Sequence, residues 1–301
     1  MSGNQIRLGL IGYGEIGSTL GRGLRGAGLA SVSAYDKYAF EGPYAALIQG
    51  RAKEVGVTLV RSPEELAACC DLILGVTPGS SSLASADAFA ACLGPQHVFV
   101  DVASATPKVK QSVAARLAAT GAVLGDASIL GSPKDGHGLS ILSSGPAAER
   151  FRDAMVPWGM NIEAVPEEIG AASGIKIIRS VLMKGLEAVV LECLLGARAY
   201  GIEETIIASA SRSLNKPFID TVNSLLTTDV IHARRRSEEA DMSADALADA
   251  GIEPLVTRST AARLRWVAEL GMKEHFAGVV PQHYTDALAG IEAKMKAAAN
   301  D

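Results

Sequence analysis

Short apolar runs alternate with amphipathic segments through the first half of the chain. Apolar runs of this length, separated by segments of helical periodicity, are typical of the buried parallel strands of an α/β protein. The runs predict strands over residues 6–11, 30–35, 57–60, 71–76, 97–102, 123–126, 139–142 and 161–165. The segments between them predict helices over 18–28, 108–120 and 151–158. They also predict one helix that begins at residue 63 and another that ends at residue 92. This order predicts a doubly wound sheet with helices on both faces.

The second half has a different pattern, because no strand is predicted after residue 166. Helical periodicity predicts helices over 170–201, 203–213, 216–226, 229–242, 244–250, 254–270 and 282–299. The longest segment, 170–201, is apolar on nearly every side, so we expect a buried helix there. The sequence therefore predicts an α/β domain over 1–165 and an all-α domain over 166–301.

Composition excludes several classes of function. The net charge of −5 gives no basic surface for nucleic acid, and the basic run Arg234 to Arg236 is followed at once by Glu238 and Glu239. No segment approaches the ~18 apolar residues of a membrane span, and the first residues lack the pattern of a secretory signal. The four cysteines and five histidines show no metal-binding spacing. We expect a cytoplasmic protein with reduced thiols, no metal site, and no nucleic-acid or membrane partner.

Glycines follow the first predicted strand and precede the first predicted helix. This order is typical of a Rossmann-type dinucleotide-binding loop, in which a pyrophosphate binds the free amides at the helix N-terminus. The residues predicted to bind the cofactor in this loop are Gly12, Tyr13, Gly14, Glu15, Ile16 and Gly17.

Asp36 ends the second predicted strand, about 20 residues past Gly17, where a carboxylate accepts hydrogen bonds from the ribose. It would repel a 2′-phosphate, so NAD is preferred over NADP, although Lys37 lies beside it. The alternative interpretation is a glycine turn beside a surface aspartate.

Two further strand ends carry candidate residues. Thr77 and Pro78 follow the strand predicted over 71–76, and Ser104 follows the strand predicted over 97–102. Because ligands of parallel α/β sheets lie beyond the carboxyl ends of the strands, we expect these residues to share one crevice with the glycine loop.

A polar stripe crosses the apolar helix predicted over 170–201. At about 100° per residue, Lys176, Ser180, Met183 and Glu187 fall within one narrow sector. An ammonium group on an apolar helix needs a partner or a chemical task, because desolvating it alone is costly. The sequence leaves both a structural ion pair and a catalytic lysine open.

Four blocks together resemble the β-hydroxyacid dehydrogenase family, which includes phosphogluconate and 3-hydroxyisobutyrate dehydrogenases. These blocks are GYGEIG, DVASATP, DASILGS and GAASGIK. The chain is most similar to a phosphogluconate dehydrogenase-like branch with a distinctive helical C-terminal domain. The resemblance implies an NAD-dependent enzyme with Lys176 as its general acid/base, a hydroxyl of Ser104 near the nicotinamide, and a homodimer. Burial, and Lys184 or Arg179 nearby, are expected to lower the pKa of Lys176.

The chain also departs from the family pattern at the substrate side. Ser180 stands one turn after the lysine, where the family usually has an asparagine, and it is predicted to be catalytic. Leu130-Gly131-Ser132 replaces the family's Ser-Gly-Gly, and Ala172 replaces the second glycine of the catalytic helix. The residues predicted to bind substrate are Ser104, Ser128, Gly131 and Ser132. The predicted substrate is a β-hydroxy acid or a related secondary alcohol or ketone. The alternatives are an imine reductase and a non-catalytic nucleotide-binding protein.

Overall fold

The computed structural model describes residues 6–131, 133–165 and 168–298, which form two compact units, Met1–Val181 and Leu182–Asp301. Eight strands of the first unit form one sheet. Their bounds are β1 Arg7–Ile11, β2 Ser31–Tyr35, β3 Thr58–Val60, β4 Leu72–Gly75, β5 Val98–Asp101, β6 Val123–Ile129, β7 Ser140–Ser144 and β8 Asn161–Ala164. All eight strands were predicted, with ends that differ by at most three residues.

The sheet has the strand order β3-β2-β1-β4-β5-β6-β7-β8. Strand β7 pairs antiparallel to β6, whereas the other neighbouring pairs are parallel. The order changes direction between β1 and β4, so a crevice opens beyond the carboxyl ends of these two strands. This edge holds the glycine loop and Thr77, as the sequence predicted.

The helices of the first unit connect these strands. Their bounds are α1 Glu15–Gly26, α2 Ala45–Val55, α3 Pro63–Cys69, α4 Ser82–Phe89, α5 Pro107–Leu117 and α6 Ala148–Met155. Ser62 caps α3 by accepting a hydrogen bond from the Glu65 amide, and Thr106 caps α5 in the same way. Helix α2 was not predicted, because its apolar residues have little helical periodicity.

Alternate residues of the central strands pack on opposite faces of the sheet. Leu8 and Leu10 of β1 belong to one apolar cluster, whereas Ile11 belongs to another. Strand β5 divides in the same way, since Val98 and Phe99 lie in different clusters. Successive side chains of a strand point to opposite faces, so these clusters are the two layers between the sheet and its helices.

Helix α7, Ala171–Ala199, matches the predicted range but not the predicted burial. Ile178 and Val181 are each 71% exposed, and Leu191 is 62% exposed. The prediction of a buried helix is therefore wrong within a single chain. Apolar residues on nearly every side show that a helix needs to be covered, but they do not show which molecule covers it.

The second unit contains helices α8 Glu203–Leu214, α9 Phe218–Asp249, α10 Leu255–Glu269, α11 Met272–His275 and α12 Tyr284–Ala298. Helix α9 spans three segments that were predicted as separate helices. Buried residues recur along it, among them Val230, Ser237 and Ala244, so packing maintains the helix where the local pattern weakens. The Glu192 carboxylate caps α10, accepting hydrogen bonds from the amides of Val256 and Thr257 at 2.9 and 2.8 Å. Among the described residues, no helix is both long and apolar enough to span a bilayer.

Candidate active site

The glycine loop turns tightly between β1 and α1. Gly12 has φ +96°, a left-handed conformation that favours glycine. A Cβ at Gly17 would lie 2.3 Å from the carbonyl oxygen of Gly12, so only a residue without a side chain lets α1 begin this close to the loop. The two glycines therefore fix the turn that brings the helix N-terminus to the edge of the sheet.

The N-terminus of α1 fits a pyrophosphate. Gly14 is its N-cap residue and offers no side-chain hydrogen bond, so the first amides keep their donors for a ligand. A Cβ at Gly14 would have no heavy atom within 4 Å, so the space in front of the helix is open. Glu15 and Ile16 form the first turn of α1 and contribute their backbone amides to this end.

Asp36 lies at the end of β2 and joins the glycine loop to the next turn. One carboxylate oxygen accepts a hydrogen bond from the Tyr13 amide at 2.8 Å, and the other accepts one from the Tyr38 amide at 2.9 Å. The side chain of Tyr13 is fully buried in the core. Tyr13 therefore contributes to the loop through its backbone and its packing, rather than through a side chain that faces the cofactor.

Close approaches link the ends of β1, β4 and β5. A Cβ at Gly12 would lie 3.2 Å from the methyl carbon of Thr77. A Cβ at Gly79 would lie 1.9 Å from the carbonyl oxygen of Ser104, which places the Thr77-Pro78-Gly79 turn directly on the loop after β5. The predicted cofactor-binding residues of three strands thus lie along one edge.

Lys176 meets this edge from the first turns of α7. Its Nζ donates a hydrogen bond to the Ser104 hydroxyl at 2.6 Å. Burial lowers the pKa of the Lys176 ammonium, and the positive charge of Lys110 lowers it further. The predicted contribution of Lys184 or Arg179 to this pKa is not found, because burial and Lys110 account for the shift, and Lys184 is exposed and forms an ion pair with Glu187 at 2.7 Å. A lysine with a lowered pKa beside a hydroxyl is more readily neutral than an ordinary lysine, so it can serve as a general base as well as a general acid.

The start of α7 is fixed to the sheet by its own backbone. Gly170, at φ +107°, packs on Pro107 of α5. The Ala172 amide donates a hydrogen bond to the Ser144 hydroxyl at 3.1 Å, and the Ser173 amide donates one to Asp126 at 2.9 Å. These bonds satisfy amides of the first helical turn and set the position of Lys176 one turn later.

The other predicted substrate residues are not gathered around Lys176 in the same way. Ser128 lies inside β6 with its hydroxyl buried and without a hydrogen-bond partner in the described part of the chain. The Ser180 hydroxyl donates to the carbonyl oxygen of Lys176 at 2.8 Å, so its proton is used within the helix. Gly131 is exposed, and a Cβ there would lie nearest to Asp135. Ser132 lies outside the described residues.

A buried ion cluster beneath the site was missed by the sequence analysis. The Lys110 side chain is fully buried and lies 3.3 Å from Asp101 and 3.1 Å from Asp126. Lys110, Val113 and Leu117 form the buried stripe of α5. The sequence did contain a sign of this cluster, because Lys110 occupies a core position of the amphipathic helix α5. A lysine among apolar helical positions was also the sign that identified Lys176.

The described ranges contain no cluster of three His, Cys, Asp or Glu side chains that could hold a metal ion. The four cysteines, Cys69, Cys70, Cys92 and Cys193, are free.

Two protein families match the chain. Residues 7–164 match the family described as the NAD binding domain of 6-phosphogluconate dehydrogenase. Residues 197–267 match a domain of unknown function, DUF1932.

Three solved structures are similar over most of the chain. A conserved protein of unknown function, described as structurally similar to 3-hydroxyacid dehydrogenases, is 28% identical, with 87% of this chain and 98% of that chain covered and a TM-score of 0.60. An imine reductase from Pseudomonas sp. is 18% identical, with 96% and 100% covered and a TM-score of 0.72. An imine reductase from Myxococcus stipitatus in complex with NADP⁺ is 19% identical, with 88% and 95% covered and a TM-score of 0.71. The imine reductases share the fold at these identities.

Proposed function

Since the chain belongs to the family of the NAD binding domain of 6-phosphogluconate dehydrogenase, we propose that it is an NAD-dependent oxidoreductase acting on a β-hydroxy acid or a related secondary alcohol or ketone. The resemblance inferred from the four sequence blocks is confirmed, as is the second, helical domain of the branch. The observation that carries the proposed reaction is the 2.6 Å hydrogen bond between Lys176 and Ser104 at the edge that holds the glycine loop.

The proposed roles follow from the chemistry of these groups. A nicotinamide cofactor bound at the glycine loop would supply the hydride-transfer chemistry. In the oxidation direction, the neutral amine of Lys176 accepts the proton of the substrate hydroxyl. In the reduction direction, the ammonium returns a proton to the carbonyl oxygen. Ser104 orients the same oxygen through its hydroxyl, which can both donate and accept a hydrogen bond.

The substrate side of the proposal depends on four further residues. The predicted ligands of the substrate stay Ser128, Gly131, Ser132 and Ser180. Ser180 offers lone pairs rather than its proton, because its hydroxyl already donates to the helix. Leu130 in place of a polar residue favours a bulkier or less polar compound than the family's small acids.

NAD rather than NADP is the proposed cofactor. Asp36 presents a carboxylate at the position where the adenosine ribose binds in Rossmann-type domains, and a negative charge there repels a 2′-phosphate. Imine reductases of the same fold include one solved with NADP⁺, so the choice of cofactor belongs in the same experiment as the substrate.

A panel of substrates tests the proposed function. Aliphatic and aryl β-hydroxy acids and secondary alcohols are offered with NAD or NADP at alkaline pH, and cyclic imines are offered with NADH or NADPH. We expect NADH formation from members of the first group. Imine reduction without alcohol oxidation would instead support the imine reductase, and tight NADH binding without any turnover would support the binding protein.

The pH dependence of turnover should report Lys176. Burial and the Lys110 charge lower the pKa of Lys176 below its ordinary value of about 10.4. The base must be neutral for oxidation, so kcat/KM for oxidation should rise with pH and level off at a lower pH than an ordinary lysine would give. The rate of reduction should fall through the same pKa, because reduction needs the ammonium. The measurement is a pH profile of each direction between pH ~6 and ~10. The role of Lys176 is contradicted if oxidation does not rise and reduction does not fall with pH.

A second copy of this chain is the proposed partner of α7. Large exposed apolar patches mark interaction sites, and the exposed residues of α7 extend over most of its length. They include Ile175, Ile178, Val181, Leu182, Leu186, Val189, Leu191 and Leu195. Several turns of apolar side chains offer the large hydrophobic area that obligate homodimers bury.

Charges on this face should separate the dimer. We expect Leu191→Glu combined with Leu195→Glu to halve the mass measured by light scattering, because the two positions lie one turn apart on α7. Val279→Glu is the matched control, since Val279 is also exposed and apolar but lies outside α7. A monomeric wild-type protein would contradict the proposal.

A further inference from the structure

The buried cluster of Lys110, Asp101 and Asp126 has no assigned task, although it lies directly beneath the proposed site. The Lys110 Nζ donates to the carbonyl oxygen of Asp101 at 2.6 Å, in addition to its two ion pairs. Burying three charges is costly, and well-packed apolar residues often give equal or greater stability. A role in stability alone is therefore a weak explanation for the cluster.

Each carboxylate uses its second oxygen to hold one part of the site. Asp101 accepts a hydrogen bond from the Ala103 amide at 3.0 Å, next to Ser104. Asp126 accepts one from the Ser173 amide at 2.9 Å, one turn before Lys176. The two aspartates are paired in register on β5 and β6, so a single ammonium reaches both.

We propose that Lys110 is a positioning residue, which holds the Ser104 loop and the first turn of α7 together so that Lys176 reaches Ser104. The proposal rests on the proposed function for its catalytic consequence. Without the ammonium, two buried carboxylates would face each other unpaired, and each would have to protonate or move. Either change weakens the hydrogen bond to its backbone amide, because charge-assisted bonds are about twice as strong as neutral ones.

Hydrogen exchange tests the positioning without substrate or turnover. We expect Lys110→Met to speed amide exchange about 10-fold in residues 102–106 and 171–176, with β4 unchanged. Asp126→Asn should speed exchange in 171–176 alone, and Asp101→Asn in 102–106 alone, because each carboxylate holds one segment. Lys108→Met is the matched control, since Lys108 is exposed on the same helix.

Two exchange results would overturn the proposal. One is unchanged exchange in both segments of Lys110→Met. The other is an equal acceleration in β4, which would indicate a general loss of stability. If Lys110→Met does not fold, the two asparagine variants decide the question, because a uniform effect of either variant on both segments contradicts the separate roles of the carboxylates.

Kinetics supply the second measurement. Lys110→Met should lower kcat about 10-fold while KM for the substrate and Kd for NADH stay within about twofold, because the groups that bind remain and their alignment is lost. Unchanged kcat would overturn the positioning role. A wild type inactive on every panel substrate would refute the proposed function, and the exchange result would still decide the role of Lys110.

Discussion

Lys176→Met should lower turnover by at least ~100-fold while NADH binding stays nearly intact. The substitution keeps most of the side-chain volume but removes the group proposed to exchange a proton with the substrate oxygen. The amine contacts the Ser104 hydroxyl at 2.6 Å, whereas the proposed pyrophosphate site is the N-terminus of α1, so loss of the proton exchange should not disturb cofactor binding. Steady-state rates on the best panel substrate, together with NADH fluorescence titration, measure the two effects separately.

Lys184→Met is the matched control for that variant. Lys184 lies on the same helix but is exposed and paired with Glu187, so removing it should leave turnover near the wild-type rate. Equal turnover in Lys176→Met and wild type would remove the lysine from the mechanism. A similar loss in both variants would show that any change in α7 impairs the enzyme.

Gly14→Ala should weaken NADH binding about 10-fold or more without lowering the melting temperature. An added methyl group has no heavy atom within 4 Å in the free protein, so the fold has room for it. The same methyl group would lie at the N-cap, beside the uncapped amides of α1 that are proposed to bind the pyrophosphate, and a tenfold loss of affinity corresponds to ~1.4 kcal/mol. Fluorescence titration with NADH and thermal unfolding measure the two quantities.

Gly26→Ala provides the comparison, because a Cβ at Gly26 also has no neighbour within 4 Å but lies at the opposite end of α1. It should leave NADH affinity unchanged. Equal affinities of the two variants would mean that the pyrophosphate does not bind at this helix N-terminus.

Much of the candidate site was predictable because parallel strands present their carboxyl ends on one edge. The predicted ends of β1, β4 and β5 carried Gly12, Thr77 and Ser104, and the structure places these residues along that edge. The lysine stripe on α7 was visible as a polar sector in an apolar helix. Within the described residues Lys176 forms no ion pair, although that possibility was left open, and the partner of its amine is the Ser104 hydroxyl.

Other features depend on contacts that local patterns do not contain. The ion pairs of Lys110 depend on the register that sets Asp101 beside Asp126, and a register between strands separated by a helix is a property of the folded sheet. The predicted breaks within α9 failed for a related reason, because residues on its buried face pack against α10 and hold the helix through its weaker segments.

Asp36, the proposed determinant of cofactor specificity, illustrates how such a residue can resist redesign. Both of its carboxylate oxygens bind backbone amides, one in the glycine loop and one in the turn after β2. A substitution chosen to admit a 2′-phosphate would therefore also release the loop that receives the pyrophosphate. An engineer who wanted an NADPH-dependent form would gain more by adding positive charge at neighbouring exposed positions, such as Tyr38, and leaving the aspartate in place.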